Sequence, residues 1–222
     1  MTGWSGPVRP ELAEAVADLL DVAEGRTDHP GVLPIVQAGD PVLRRPAAPY
    51  TGQLGDVLPR LLGAMRRTMH AAPGVGLAAP QVGIGLAIAV CEDAGVPDDP
   101  RDRHPLPFRV LVNPRCAPVD DAPDVPFYEG CLSVAGWQAV VARHRRVRLT
   151  GQDEHGTALD EVLTGWPARI VQHETDHLHG RLYLDAAVPR SLTSNENLLR
   201  HFAGDPDPGR AAQELGFDLP GA

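Results

Sequence analysis

The chain has 222 residues, which is enough for one domain with a substantial hydrophobic core. Hydrophobic residues make up 43% of the chain and charged residues 22%, the composition of a globular protein and not of a disordered one. Its 20 basic and 29 acidic residues give a formal net charge of −9, so bulk charge argues against direct binding to nucleic acid or to an anionic membrane surface.

The sequence predicts neither a membrane-spanning helix nor a targeting segment. Its apolar runs are shorter than the roughly 18 residues that a membrane helix needs. Its first twenty residues include acidic side chains and lack a basic start followed by an unbroken apolar stretch. Cys91, Cys116 and Cys131 are odd in number and widely spaced, which predicts free thiols and not a disulfide framework. We therefore expect a cytoplasmic protein.

Apolar periodicity predicts two helices in the first third of the chain. The first covers 11–24, and the second covers 54–70 with two methionines on its apolar side, where they are expected to fill the core. Between them, residues 25–34 contain Gly, Pro and Asp, which is typical of a connecting segment.

Residues 74–83, GVGLAAPQVG, are mostly small, so the backbone here can approach a ligand closely. A phosphate-binding loop is the rival interpretation. The segment lacks the Lys-Ser/Thr pair of such a loop and the strand-then-helix context of a dinucleotide site, which disfavours nucleotide binding. Gln81 is the polar side chain that could donate a hydrogen bond from this segment.

Short strands are predicted in the middle of the chain, separated by two long loops rich in Asp and Pro at 92–107 and 114–126. The predicted strands cover 85–90, 109–112, 139–141, 147–150 and 159–163, and one more is predicted at 182–184. A polar tail from 189 onward holds one further predicted helix, near 211–215.

Residues 172–180, QHETDHLHG, contain an H-E-x-x-H pattern. His173 and His177 are four residues apart, so on a helix they share one face and can bind the same metal ion. Glu174 lies beside them, close enough to take a proton from water at that metal. Thr164 is a candidate N-cap for this helix, and Gly180 is a natural stop.

Two histidines at helical spacing also occur as packed or solvent-facing side chains, and a catalytic metal site needs a third protein ligand. Residues 129–133 read EGCLS and offer Cys131 for that role. A thiolate and two imidazoles make a site with one open position. Taken alone, Cys131 fits a buried inert thiol better.

At this point the sequence resembles the peptide deformylase family. GVGLAAPQ, EGCLS and QHETDHLHG occur in the order of the family's three signature segments, and GDPVLR at 39–44 resembles the family's start. The resemblance covers about 35–185 and implies an α+β fold in which small antiparallel β-sheets surround a central metal-binding helix. It implies an N-terminal extension over 1–34, a catalytic domain over 35–187 and a C-terminal tail over 188–222.

The resemblance also implies the activity, which is hydrolysis of the N-formyl group from the N-terminal methionine of newly made polypeptides with release of formate. Cys131, His173 and His177 would hold one divalent metal ion, with Fe²⁺ expected and Zn²⁺, Ni²⁺ or Co²⁺ as alternatives in isolated protein. Glu174 would be the general base. The implied partners are N-formylmethionyl nascent peptides and the ribosome near its exit tunnel.

Further roles carry over by position in the family pattern. Gln81 and the backbone N–H of Leu132 would face the formyl oxygen, and Gly76 would offer a backbone contact to the peptide. The pocket for the first side chain would be lined by Val75, Phe127, Trp166 and Ile170.

Two positions depart from the best-known bacterial pattern. Gln138 stands where many members carry Arg, and Trp166 stands where an aliphatic residue is common. Residues 133–143 instead resemble the actinobacterial and organellar branch. Both departures concern the shape of the substrate groove.

Glu129, Asp176 and Arg143 are candidates for orienting the metal ligands, although a surface salt bridge is an equal alternative for Arg143. Two other functions remain open. An H-E-x-x-H endopeptidase would need a downstream ligand, for which Glu196 is the nearby candidate. A peptide-binding module with a structural metal would close its site with a fourth ligand.

Overall fold

The computed structural model describes residues 4–202 and 205–220, so the extreme ends of the predicted extension and tail lie outside the described residues. The helices of the described residues are α1 (Pro10–Glu24), α2 (Leu58–Ala71), α3 (Gly165–Leu178), α4 (Asn195–Phe202) and α5 (Gly209–Leu215). The strands are β1 (Gly76–Ala78), β2 (Ile88–Asp93), β3 (Leu106–Pro118), β4 (Val125–Cys131), β5 (Val134–Arg143), β6 (Arg146–Gln152), β7 (Ala158–Thr164) and β8 (Thr193–Ser194). Among the described residues, no helix is long and apolar enough to cross a membrane.

The strands form two antiparallel sheets. One has five strands in the order β1-β2-β3-β6-β7, and the other has three in the order β4-β5-β8. Helix α3 packs its apolar face on the five-stranded sheet, where Ile170 and Val171 join one core with Leu111 and Leu149. On its other side Arg169 donates a hydrogen bond to the carbonyl of Val141 in the three-stranded sheet. The α+β fold with small antiparallel sheets around one central helix is therefore confirmed.

The start of α3 is determined by a glycine and not by the predicted side-chain cap. Thr164 has the extended backbone of an N-cap, but its side chain makes no capping hydrogen bond. Gly165 has φ +62°, and a Cβ there would lie 2.4 Å from the carbonyl oxygen of Asp102. Only glycine fits this close approach in a left-handed conformation. The helix ends at Leu178, two residues before Gly180 at φ +75°.

Helix α1 packs against the same core as α2. Val16 and Leu20 of α1 are buried in one cluster with Leu61, Met65 and Met69 of α2. Both methionines are completely buried, as expected for core filler. The N-terminal segment thus adds apolar surface to the core that supports β1 and β2.

The structure corrects two secondary-structure predictions and adds one helix. The predicted loop 114–126 is mostly strand: β3 continues to Pro118 in register with β6, and β4 begins at Val125, so only 119–124 connect them. Residues 182–184 do not form a strand, because Tyr183–Asp185 is a 3₁₀ turn. Helix α4 was not predicted. In each case pairing or packing with a distant segment outweighs the weak local signal.

Candidate active site

The three candidate metal ligands meet at the junction of α3 and β4. The ligand atoms of Cys131, His173 and His177 all lie within 4.8 Å of one another. The Sγ atom of Cys131 is 3.3 Å from Nε2 of His177. The two imidazoles share one face of α3 with their ring centroids 5.0 Å apart. Cys131 reaches them because it ends β4 at an irregularity in the pairing with β5.

These three residues fit a single divalent metal ion. Ligand atoms bound to one tetrahedral ion lie about 3.5 Å apart, close to the separation of Cys131 Sγ and His177 Nε2. Nδ1 of His173 faces Glu129, so its other ring nitrogen is directed to the cluster. The cluster holds three ligands among the described residues, which is the number found in a catalytic site and not in a closed structural one.

Glu129 is the buried anion that orients the cluster. It accepts hydrogen bonds of 2.7 and 2.9 Å from Arg143 and one of 2.5 Å from Arg169, and it lies 3.1 Å from Nδ1 of His173. Arg143 also donates to Asp176 at 2.7 Å. The Arg143 side chain is only 7% exposed, which excludes the surface salt bridge. Glu129, Arg143 and Asp176 thus form a connected support behind His173.

The charges around His173 favour a cation. Burial by itself lowers the pKa of His173, but its hydrogen bonds to the Cys131 thiol and the Glu129 carboxylate raise that pKa to about 10. Burial raises the pKa of Glu129 too, yet Arg143 and His173 hold it well below its usual range. Burial and His173 lower the pKa of His177, which keeps this imidazole neutral and able to bind a metal. A divalent cation bound at the cluster would be stabilised by the same surroundings.

Glu174 lies beside the cluster in an almost fully buried position. Burial raises the pKa of its carboxyl to about 7, and its Oε2 atom has no hydrogen-bond partner among the residues that the structure describes. A Cβ at Gly76 would lie 2.1 Å from Glu174 Oε1, so a glycine is needed on the facing strand. A buried carboxyl that titrates near neutrality is suited to accepting and returning a proton.

Gln81 is held with its amide nitrogen toward the cluster. The backbone N–H of Ala78 donates to Gln81 Oε1 at 2.8 Å, which fixes the amide orientation. Nε2 then donates to Ser133 Oγ at 3.3 Å and lies 3.5 Å from Cys131 Sγ. The side chain is buried at the end of β1 on a single 3₁₀ turn.

A cavity of about 740 Å³ opens onto these residues. Its walls include Val75, Trp166 and Ile170, three of the four predicted pocket residues. Gly76, Gln81, Cys131, Leu132, His173 and Glu174 also line it. These site residues and the three predicted pocket residues therefore line the same cavity.

Phe127 corrects the pocket prediction. It does not line this cavity but a neighbouring one of about 160 Å³, where it packs edge-on against Trp166 with ring centroids 6.2 Å apart. Consecutive residues of a strand face opposite sides, and in β4 it is Tyr128 that lines the main cavity. Phe127 thus contributes indirectly, by supporting Trp166.

The sequence did not single out two cationic residues that a loop contributes to the cavity wall. Arg101 and Arg103 line the cavity from the connection between β2 and β3. Arg103 pairs with Asp93, and the Arg101 guanidinium lies 4.7 Å from the Trp166 ring centroid. These arginines stand in a loop rich in Asp and Pro without periodicity, so no sequence signal distinguishes them from ordinary surface charges.

The other cysteines and the alternative ligand lie away from the cluster. Cys91 is fully buried in β2, and burial raises its thiol pKa, whereas Cys116 contacts Thr175 Oγ1 at 3.5 Å. Glu196 is 75% exposed on α4 and pairs with Arg200. The structure therefore offers no support for an endopeptidase site with Glu196 as its third ligand.

Comparison with known proteins gives one consistent family. The family model described as polypeptide deformylase matches residues 32–192. Peptide deformylase 1 of Streptomyces coelicolor is 61% identical over 218 residues, 96% of each chain. Peptide deformylase 3 of Streptomyces avermitilis is 61% identical over 225 residues, covering 99% of this chain and all of the relative.

A solved structure agrees with these matches. The class I type b peptide deformylase from Acinetobacter baumannii with Met-Ala-Ser bound has a TM-score of 0.64 and 35% identity, covering 70% of this chain and 98% of that one. The resemblance seen in the three motifs and the likeness to actinobacterial members are confirmed. The chain belongs to the polypeptide deformylase family.

Proposed function

We propose that the chain is a metal-dependent hydrolase that removes the N-formyl group from the N-terminal methionine of newly made polypeptides and releases formate. The observation that carries this proposal is the Cys131, His173 and His177 cluster with Glu174 beside it, next to a cavity large enough for a peptide end. Family membership supports the reaction class.

Cys131, His173 and His177 would hold one divalent metal ion. When bound, such an ion polarises the formyl oxygen and activates the attacking water. The remaining roles belong to residues of the protein. Glu129 and Arg143 keep the His173 ring in place through the bonds described above, so the ligand is oriented before the metal binds.

Glu174 would move the proton. It takes a proton from the attacking water and later donates it to the departing amine. Its burial keeps the pKa of the carboxyl near 7, so it can serve in both directions at neutral pH. The close approach of Gly76 leaves the carboxyl little room to turn away.

The amide of Gln81 and the backbone N–H of Leu132 would stabilise the negative charge that develops on the formyl oxygen. Gln81 is suited to this role because the Ala78 N–H holds its carbonyl end and leaves its N–H groups pointing to the cluster. One such donor is worth about 3–4 kcal/mol in other hydrolases. Gly76 would give a backbone contact, and Val75, Trp166 and Ile170 would enclose the methionine side chain.

The direct test is an assay of formate release from formyl-Met-Ala-Ser, with casein cleavage measured in parallel. We expect formate release and no cleavage of casein. Cleavage of casein without formate release would instead identify an endopeptidase. We propose that in the cell the substrate is met in the cytoplasm, as the nascent chain leaves the ribosomal exit tunnel.

We further propose Fe²⁺ as the cellular metal, which the family resemblance favours. A thiolate with two imidazoles suits Fe²⁺ and Zn²⁺ alike, so the ligand set does not choose between them. Iron reacts with O₂ and the Cys131 thiolate can oxidise irreversibly, whereas zinc has no redox chemistry.

We expect protein prepared without oxygen to be most active with Fe²⁺ and to decay in air, while the Ni²⁺ form stays active. Time courses of the iron, nickel and zinc forms, with and without O₂, measure this. Equal rates for the zinc and iron forms, with equal stability in air, would exclude iron.

A further inference from the structure

Part of the substrate cavity is built by residues beyond the span that the family model matches. The match ends at residue 192, and the chain continues directly into β8. That strand pairs with β5, placing Thr193 opposite Gln138 and Ser194 opposite Trp137. Asn195 follows at once, begins α4 and lines the cavity together with Gln138.

Gln138 and Asn195 form an amide pair on this wall. Nε2 of Gln138 donates to Oδ1 of Asn195 at 3.1 Å. Gln138 lies opposite Gly130 in the ladder, and a Cβ on Gly130 would come within 3.1 Å of the Gln138 side chain. Because Gly130 directly precedes Cys131, the amide pair borders the strand that carries the metal ligand.

The pair is not explained by the needs of the fold. The first turn of α4 is capped by Ser194, whose Oγ accepts a hydrogen bond from the backbone N–H of Asn197 at 3.2 Å, so Asn195 is not needed for that role. Asn195 is exposed and Gln138 is half-buried. A hydrogen bond between such amides adds little to stability, since both groups would otherwise bond to water.

The chemistry of the pair suits a peptide backbone. Each primary amide has two N–H donors and a carbonyl oxygen with two lone pairs, and the mutual bond uses one donor and one lone pair. The remaining donors and acceptors match the alternating N–H and C=O groups of an extended peptide. Both groups are uncharged, so the pair offers hydrogen bonds without a net charge.

Resting on the proposed function, we propose that Gln138 and Asn195 bind the backbone of the substrate residues that follow the formylmethionine. Asn195 is then a specificity-determining residue supplied by the C-terminal segment. Because the pair is neutral, it holds the continuing chain without favouring a free carboxylate at the end of a short peptide.

The test compares a substrate that reaches the wall with one that does not. We expect Asn195→Ala and Gln138→Ala to lower kcat/KM about three- to tenfold on formyl-Met-Ala-Ser, mainly through KM, the scale of one or two hydrogen bonds. On formyl-methionine amide both variants should stay within about twofold of wild type. The fold loss in kcat/KM of the double variant should be smaller than the product of the two single fold losses, since the two amides act as a unit.

Asn197→Ala is the matched control, because it removes the same side chain from the same turn of α4 at a position that does not line the cavity. It should leave both substrates unaffected. Asn195→Asp should penalise formyl-Met-Ala-Ser more than its C-terminal amide, and the difference should shrink as salt is added.

The role of the amide pair would be wrong if Asn195→Ala kept wild-type rates on the tripeptide, or if the losses were equal on the long and short substrates. Either result would leave the proposed deformylase activity unaffected. A wild-type protein that releases no formate from either substrate would overturn the proposed function, and this inference with it.

Discussion

Replacing Glu174 by Gln is expected to lower kcat for formate release at least about a hundredfold while the metal content stays unchanged. Gln has nearly the same shape, so the buried site should keep its packing. The amide cannot take a proton from water or return one to the leaving amine. Both quantities are measurable on one preparation, as kcat with formyl-Met-Ala-Ser and as metal per chain by elemental analysis.

Glu196→Gln is the matched control, because it makes the same change at an exposed position that does not line the cavity. It should keep full activity. If Glu174→Gln lost its metal, Glu174 would be a ligand and the proton-transfer role would be wrong. If it kept wild-type kcat, another group would have to move the proton.

The second large effect concerns the third ligand. Purified protein should contain about one divalent metal ion per chain, and Cys131→Ala should lose the metal, the activity or both, since two imidazoles alone leave the site one protein ligand short. Elemental analysis and the formate assay measure the two losses separately.

Cys116→Ala makes the same substitution at a half-buried cysteine that contacts Thr175 and not the metal cluster. It should keep both metal and activity, and Cys91→Ala should do so as well. Full metal retention together with full activity in Cys131→Ala would contradict the ligand assignment.

The residues that support His173 show how much of the site the sequence patterns could predict. Glu129 and Arg143 were candidates for orienting the ligands, with a surface salt bridge as an equal alternative for Arg143. Both side chains are buried and hydrogen-bonded to each other, so the ligand-orienting role is favoured for Arg143. An exposed ion pair would contribute little. The involvement of Arg169, which donates to the same carboxylate, had no sequence signal at all.

The cavity wall shows what the sequence patterns could not predict. Val75, Trp166 and Ile170 line it as predicted, whereas Phe127 does not. Which face a strand residue presents depends on the register of β4 against β5, and a shift of one residue reverses every side chain. Position in a family pattern does not determine that register.

The sequence by itself determined the elements of the chemistry: the helical spacing of His173 and His177, the acid beside them, and the order of the three motifs that predicts the family and its α+β fold. Those features are local or are carried by short segments. Only the tertiary structure decided that Cys131 meets the two histidines and that Arg101 and Asn195 reach the cavity. These residues are far apart in the chain, and their meeting depends on strand pairing and core packing that no single segment encodes.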